Sequence, residues 1–139
     1  MSPGKTLDSE GREKIHAKGE DQLFSFKAVY QERQINTAAA TGTNTLSGAT
    51  VPAGEVWIVR CAIACDVTSG TDIVSVYVND SGVDYLTDRA ANATAAQVVG
   101  GACWAPMKAG DNLAAKFYGC VSGDDLYLYG HGFKMSKES

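Results

Sequence analysis

The chain has 139 residues, of which 45% are hydrophobic and 20% are charged, and its formal net charge is −4 at pH 7. These values indicate one globular domain, and the acidic balance argues against the clustered basic surface that nucleic-acid binding requires. No run of the sequence approaches the roughly 20 apolar residues of a membrane span. We therefore expect neither a nucleic acid nor a membrane as a partner.

The first 22 residues differ in composition from the rest of the chain. They are rich in charges of both signs and contain only two large aliphatic residues, Leu7 and Ile15. Such a segment has no apolar face with which to build a core, and ordering it costs roughly 1–2 kcal/mol per residue. We predict an extended N-terminal arm over residues 1–22, ordered only against another subunit, followed by a β-sandwich domain over residues 23–139.

Met1 leads into a Ser-Pro-Gly-Lys sequence instead of a basic region followed by an apolar stretch. We therefore expect no secretory signal and synthesis in a cytoplasm. Thiols stay reduced in that compartment, so the four cysteines are predicted to be unpaired. They are Cys61, Cys65, Cys103 and Cys120.

From residue 22 onward the hydrophobic pattern alternates with a period of two, which is typical of β-strands. The runs are 22–35, 55–66, 71–80, 83–88, 94–104, 112–120 and 125–135, of which 94–104 is weaker because Gly100 and Gly101 interrupt it. Residues 35–54 carry no charge, and their Thr, Gly, Asn and Ser content favours extended chain and loops. The count of about eight strands, with no helix, predicts an all-β, jelly-roll-like β-sandwich.

The alternation also assigns faces to individual strands. In the first run, Phe24, Phe26, Ala28 and Tyr30 are predicted to share a face. In the 55–66 run, the predicted shared face holds Trp57, Val59, Cys61, Ile63 and Cys65. The 55–66 run, which is apolar on both faces, is expected to be covered on both sides.

Glycine-containing segments predict how the strands are connected. The turn at 79–82 predicts a hairpin between its flanking strands, and the segment 122–124 predicts a second one. The pair Gly100-Gly101 suggests a bulge or kink. The segments 51–54 and 107–111 resemble each other and are predicted to form two equivalent corners of the sandwich.

The residue types needed for catalysis are scarce. The only histidines are His16 and His131, and a Cys–His pairing would have to use His131 with Cys103 or Cys120. Zinc-ligand spacing is absent, and the scattered aspartates lie at hairpin ends, where turn formation explains them better than calcium binding. We predict no catalytic residue, no metal site and no cofactor, with Tyr85 and Trp104 as the one pair that suggests a sugar platform.

The last predicted strand is rich in large side chains on both faces. Leu126 and Leu128 alternate with an aromatic series that contains Tyr127, Tyr129 and Phe133. One face can pack into the core, whereas the other exposes an aromatic row unless a partner covers it. We predict self-association through these three residues, most simply as a two-fold homodimer or else a higher symmetric assembly. The alternative is that the domain itself buries both faces.

Several short motifs carry a resemblance to a known class of proteins. They are V-P-A-G-x-V-W-I-V, a Val-rich strand ending in Y-V-N-D-S-G, W-x-P-M-x-A-G-D-x-L and the closing Tyr-rich strand, and together they span roughly residues 45–135. This order resembles small β-sandwich structural proteins of tailed bacteriophages. It is most similar to the capsid cement, or decoration, proteins of short-tailed phages, which join a jelly-roll body to an extended terminal arm.

The resemblance implies a non-enzymatic virion protein on the capsid surface that stabilises contacts between major capsid protein subunits. In that setting the arm would contact the capsid through Lys5, Leu7, Arg12, Lys14, Ile15 and Lys18. Two other readings are a tail-fibre module that binds a receptor or carbohydrate, and a small hydrolase, which the shortage of histidines disfavours.

Overall fold

The computed structural model describes Lys5–Leu7, Glu13–Ile15 and residues 24–137, all as strands and their connections. The strands are β1 (Lys5–Leu7), β2 (Glu13–Ile15), β3 (Phe24–Asn36), β4 (Gly42–Thr50), β5 (Glu55–Asp66), β6 (Thr71–Asp80), β7 (Val83–Ala93), β8 (Val99–Met107), β9 (Asn112–Cys120) and β10 (Leu126–Lys137). Within these described residues, no helix is long and apolar enough to cross a membrane.

The predicted arm contains a short antiparallel pair. β1 pairs with β2, with Lys5 opposite Ile15 and Leu7 opposite Glu13. Of the six predicted capsid-contact residues, four therefore lie in these two strands, whereas Arg12 and Lys18 lie outside the described residues. The division of the chain at residue 22 stays a prediction, and the first strand of the body begins at Phe24.

The eight strands of the body form a jelly roll. β3 pairs with β10, β4 with β9, β5 with β8 and β6 with β7, all antiparallel, so the first half of the body runs back along the second. These four strand pairs are arranged in two sheets, with the strand orders β3-β10-β5-β8 and β4-β9-β6-β7. The predicted all-β sandwich is confirmed, with eight strands in its two sheets.

The core lies between these two sheets and follows the predicted alternation where the strands are regular. On β6, Val74, Val76 and Val78 are buried in it. On β10, Leu126 and Leu128 are buried in it, which places the intervening tyrosines on the other side of the sheet. The fully buried large side chains also include Tyr30, Met107, Leu113 and Phe117.

The predicted face of β5 is wrong beyond Arg60 because the strand contains a β-bulge. Val59 pairs with Gly132 and Cys61 with the adjacent His131, so Arg60 is an extra residue on β5. The bulge reverses the alternation, and Ala62 and Ala64 face the core in place of the cysteines. Cys61 and Cys65 still share a face, but it is the outer one, and all four cysteines are free thiols.

The predicted face of β3 is also wrong, because this strand too contains an extra residue. Ala28 pairs with Lys134 and Phe26 with Met135, so Lys27 is the extra residue. Tyr30 is buried in the core, whereas Phe26 is 66% exposed. The phenylalanine therefore lies on the outer side of the sheet, away from Tyr30.

One predicted connection is wrong, and another segment gains detail. β9 and β10 belong to different sheets, so residues 121–125 cross between sheets and do not form a hairpin. The uncharged segment 35–54 contains a nine-residue edge strand, β4. Its Thr, Ser and Gly side chains are small enough for a strand that is mostly exposed.

Gly100 does not lie at a β-bulge, as its sequence suggests, but where two strands approach closely. Its φ is 108°, and a Cβ there would overlap the carbonyl oxygen of Ala62 on the neighbouring strand. The register irregularity of β8 lies farther along the strand, at Cys103 and Trp104, opposite Arg60. Glycine at position 100 thus permits close approach of two backbones.

The predicted corners lie side by side at one end of the sandwich. The Val51 amide donates to the Asp111 carbonyl (2.9 Å), and the Gly110 amide donates to the Val51 carbonyl (2.9 Å). The β6–β7 hairpin turns at this end through Ser81 (φ 52°) and Gly82 (φ 86°), as its sequence predicts. We call this the corner end; the connections 37–41, 67–70, 94–98 and 121–125 form the opposite, loop end.

Candidate functional site

The most distinctive surface of the body is the outer side of the β3-β10-β5-β8 sheet, which we call the outer face. Its exposed apolar side chains include Phe26 (66% exposed), Val29 (61%) and Trp104 (62%). Two of its four strands, β3 and β8, thus contribute large apolar groups beside the aromatic series of β10. A soluble monomer rarely leaves so many such groups together in water.

The predicted self-association residues lie on this face. The Tyr127 and Tyr129 rings stack with centroids 4.6 Å apart, and Phe133 contacts Trp104 with centroids 6.4 Å apart. Burial, together with a hydrogen bond to Cys65, raises the pKa of Tyr127 to about 12. All three predicted residues are half-buried, so the domain does not enclose this side of β10.

The charges on the outer face are of one sign. Arg33 and Arg60 are exposed there, and the Arg60 guanidinium lies 5.0 Å from the centre of the Trp104 ring. The carboxylates of these strands face elsewhere: Glu32 and Asp66 are buried, and Glu55 accepts from the core residue Trp57. Along the described strands, the outer face is therefore apolar and cationic.

Sequence reasoning did not assign Phe26, Val29 and Trp104 to the same surface as β10. Val29 lies directly opposite Phe133 in the register, and Trp104 reaches Phe133 from β8 across β5. The sequence does show that apolar residues alternate along β3. It does not show that β3 lies beside β10, which became known only from the order of the strands in the sheet.

A second feature is a cleft where the edge strands β7 and β8 of the two sheets meet. On the opposite side of the sandwich, the edges β3 and β4 are joined by Glu32, which accepts from the Ala49 amide (2.7 Å). On the β7–β8 side, an opening of about 740 Å³ remains. It is lined mainly by apolar side chains, among them Val56, Tyr85, Leu86, Trp104 and Pro106.

Four of the polar side chains that line this cleft, those of Asp80, Thr87, Lys108 and Asp111, already have ion-pair or hydrogen-bond partners. Lys108 Nζ lies 2.6 Å from Asp80 and 3.2 Å from Asp111, and Thr87 donates to the Val76 carbonyl (3.1 Å). The hydrogen bond with Asp80 raises the pKa of Lys108 and lowers that of Asp80. The predicted sugar platform, Tyr85 and Trp104, therefore lines one cleft, in which these polar side chains already have partners.

A pair of buried carboxyl groups holds the loop end together. Asp66 and Asp124 are 2% and 1% exposed. Burial raises the pKa of Asp66, and the neighbouring Asp124 carboxyl raises it further. Asp66 Oδ2 is buried without a hydrogen-bond partner, whereas Asp124 accepts from the Ser69 hydroxyl (2.7 Å) and the Val121 amide (3.0 Å). Burial opposes ionisation of Asp124, but such hydrogen bonds favour its charged form and its pKa is lowered. The folded state therefore favours protonation of Asp66 over that of Asp124.

The residues considered for catalysis and metal binding are not assembled into a site. The considered pairing of His131 with Cys103 or Cys120 is not formed. His131 is on the outer face, whereas Cys103 packs against the core and Cys120 lies in the other sheet. The cysteine opposite His131 in the register is Cys61. Among the described residues, no three His, Cys, Asp or Glu side chains are grouped so that they could hold a metal ion. His16 lies outside the described residues.

Comparison with known proteins does not place the chain in a family. No protein-family model matches it, and no curated protein matches it significantly.

Proposed function

We propose that this chain is a structural protein of a bacteriophage virion that binds the outside of the capsid and stabilises contacts between major capsid protein subunits. The observation that carries the proposal is the outer face, with its exposed aromatic and aliphatic side chains on a jelly-roll body. Aromatic side chains and arginine are enriched at the centres of protein interfaces. The face thus has the composition of a surface that another protein covers.

The point where the arm joins the body is compatible with binding to the capsid. β3 begins at Phe24, at the corner end, and is itself an edge strand of the sheet that bears the outer face. A segment that enters the body there starts beside the outer face. The arm can therefore follow the shell while the outer face meets a neighbouring copy on it, with Lys5, Leu7, Arg12, Lys14, Ile15 and Lys18 as the capsid-contact residues of the arm.

Many weak contacts repeated by symmetry suit a protein of this kind better than a single tight site. We assign the arm to the major capsid protein and the outer face, through Tyr127, Tyr129 and Phe133, to self-association. The protein would be made in the host cytoplasm and act on the virion surface, without catalysis or a cofactor.

The arm can be tested by deletion. Removing residues 1–22 should leave the thermal unfolding of the body unchanged and abolish retention on capsids purified from the phage that encodes the chain. Retention is measured by co-sedimentation with those capsids, and the exposed-loop variant Val121→Ser serves as the control that should still bind. Capsid retention of the truncated chain equal to that of the full chain would contradict the assignment.

The cleft favours one second candidate, a tail-fibre module that binds a receptor or carbohydrate. Tyr85 and Trp104 supply aromatic surface on which a sugar ring could stack. Trp57 is buried whereas Trp104 is exposed, so quenching of tryptophan fluorescence by added oligosaccharide would report on the cleft. Saturable quenching that is lost in Tyr85→Ala, a variant that keeps the Trp104 fluorophore, would support this candidate over the capsid role.

A further inference from the structure

A pocket lies on the side of the β4-β9-β6-β7 sheet that faces away from the core. It has a volume of about 300 Å³ and is formed by the three adjacent strands β9, β6 and β7, and we call it the β6 pocket. Of its described lining residues, Leu86 alone also lines the cleft. The full set is Ile73, Ser75, Tyr77, Asp84, Leu86, Arg89, Lys116 and Tyr118.

The register of the strands explains why these side chains meet. On β6, Ser75 and Tyr77 point away from the core, since the valines on either side of them are buried in it. Ser75 lies opposite both Arg89 of β7 and Lys116 of β9. Tyr77 lies opposite Leu86 of β7. The sheet therefore places two cations beside an aromatic and an aliphatic side chain.

The floor of the β6 pocket is aromatic and carries hydroxyl groups. Tyr77 and Ser75 are only 4% and 7% exposed, although they point away from the core. Tyr118 of β9 lines the pocket beside them and is half-buried. Burial raises the pKa of Tyr77, so its hydroxyl group stays protonated and can donate a hydrogen bond. Aromatic surface with a few placed hydroxyl groups is typical of a site for a small polar ring.

The β6 pocket also carries positive charge that the described residues do not neutralise. Arg89 is exposed, and its guanidinium group takes part in none of the ion pairs among them. Lys116 Nζ lies 3.9 Å from the Asp84 carboxylate and 5.8 Å from the centre of the Tyr77 ring. The same carboxylate accepts from the Asn79 amide (2.9 Å). Arg89 can therefore offer its planar set of N–H donors to an anion.

The cleft differs from the β6 pocket in this respect. Its lysine, Lys108, lies 2.6 Å from Asp80 and 3.2 Å from Asp111. An anion bound in the cleft would have to compete with these two carboxylates. Of the two openings, the β6 pocket is therefore the one suited to an anionic ligand.

We propose that the β6 pocket binds an acidic sugar, which is a sugar ring that bears a carboxylate. The carboxylate accepts two parallel hydrogen bonds from Arg89, the arrangement in which these two planar groups match. The ring packs on the tyrosines of the floor, and its hydroxyl groups hydrogen-bond with Ser75 and Asp84. A volume of about 300 Å³ is at the lower end of the range for small-molecule pockets, which suits a single sugar ring.

The proposal does not depend on the capsid role. The self-association proposed above uses the outer face, which belongs to the other sheet, and the proposed capsid contact uses the arm. Neither contact covers the β6 pocket. A chain assembled in that way can still bind a sugar there.

The test combines matched ligands with matched variants in NMR titrations of the full chain. Methyl glucuronide differs from methyl glucoside only by a carboxylate in place of a hydroxymethyl group, and methyl galacturonide differs from methyl galactoside in the same way. Arg89→Gln removes the cation of the pocket. Arg33→Gln is the control, because Arg33 is an equally exposed arginine on the outer face. Equal urea midpoints would establish that both variants fold.

We expect at least one of the acidic sugars to bind, with chemical-shift changes confined to β6, β7 and β9. Its affinity should exceed that of its neutral counterpart by about ten-fold or more, because hydrogen bonds between two charged groups are the stronger kind. Arg89→Gln should remove this advantage, and Arg33→Gln should keep it. No binding of either acidic sugar by the unmodified chain, equal affinity for acidic and neutral sugars, or equal losses in the two variants would each overturn the proposal.

Sodium acetate is the last ligand, because it supplies a carboxylate without a sugar ring. It should bind at least about ten-fold more weakly than the acidic sugar, since it cannot pack on the tyrosines of the floor. Acetate that binds as tightly as the acidic sugar would show that the pocket holds only an anion, and it would overturn the assignment to a sugar.

Discussion

At the scale of single residues, the Asp66–Asp124 pair links stability to pH. The raised pKa of Asp66 means that the folded state favours the protonated form of this carboxyl group. The stability that Asp66 contributes is therefore fully present below the unfolded pKa of about 3.9, and it is lost as pH rises through the folded pKa. The lowered pKa of Asp124 has the opposite effect, and its contribution is lost as pH falls through its folded pKa. The pair is most stabilising between these two folded pKa values.

We predict that the free energy of unfolding falls as pH rises through the folded pKa of Asp66, by about 1.4 kcal/mol for each unit by which that pKa is raised. Asp66→Asn should abolish this dependence, because the amide that replaces the carboxyl group does not titrate. Urea unfolding at a series of pH values gives the free energies, and Asp125→Asn, an exposed neighbour, is the control. The same slope in Asp66→Asn as in the unmodified chain would assign the pH dependence to other groups.

At the scale of strands, a substitution of Gly100 tests how closely β8 and β5 approach each other. Gly100→Ala should destabilise the fold by about 2–4 kcal/mol, because it combines a positive φ with overlap between the new Cβ and the Ala62 carbonyl. Gly101→Ala also has a positive φ but no atom within 4 Å of the new Cβ, so it should cost about 1–2 kcal/mol. Equal urea midpoints for the two variants would show that crowding by Ala62 contributes nothing.

The sequence was sufficient to predict the strands but not the details of their pairing. Alternation reports whether one face of a segment can be buried, and it identified the faces of β10 correctly, with Leu126 and Leu128 in the core. The bulges at Lys27 and Arg60 could not be predicted, because an extra residue is defined only relative to the partner strand.

The connections show the same limit. A short turn such as 122–124 has the same composition whether it joins neighbouring strands or crosses between sheets. The candidate site was accordingly predicted in part: the β10 residues followed from the sequence, whereas Val29 and Trp104 joined them only through the sheet order β3-β10-β5-β8.

At the scale of the whole molecule, replacing outer-face aromatics should separate assembly from folding. The double variant Tyr127→Ser/Phe133→Ser should lose self-association in sedimentation velocity, because both rings lie on the outer face and are half-buried in the single chain. Its free energy of unfolding should fall by no more than about 1–2 kcal/mol, since only part of each ring is buried by the domain. A double variant that unfolds would assign these rings to the core, and the assembly surface would have to lie elsewhere.

The capsid role itself is tested most directly by the copy number of the chain in purified phage particles. Quantitative mass spectrometry against the major capsid protein of the same particles gives that number. A protein that stabilises contacts throughout the shell should be present in a fixed ratio to the major capsid protein, on the order of hundreds of copies per particle, because the shell repeats the same contact by symmetry. Absence of the chain from the particles, or a copy number of a few dozen at most, as expected for a tail fibre, would contradict the proposed function.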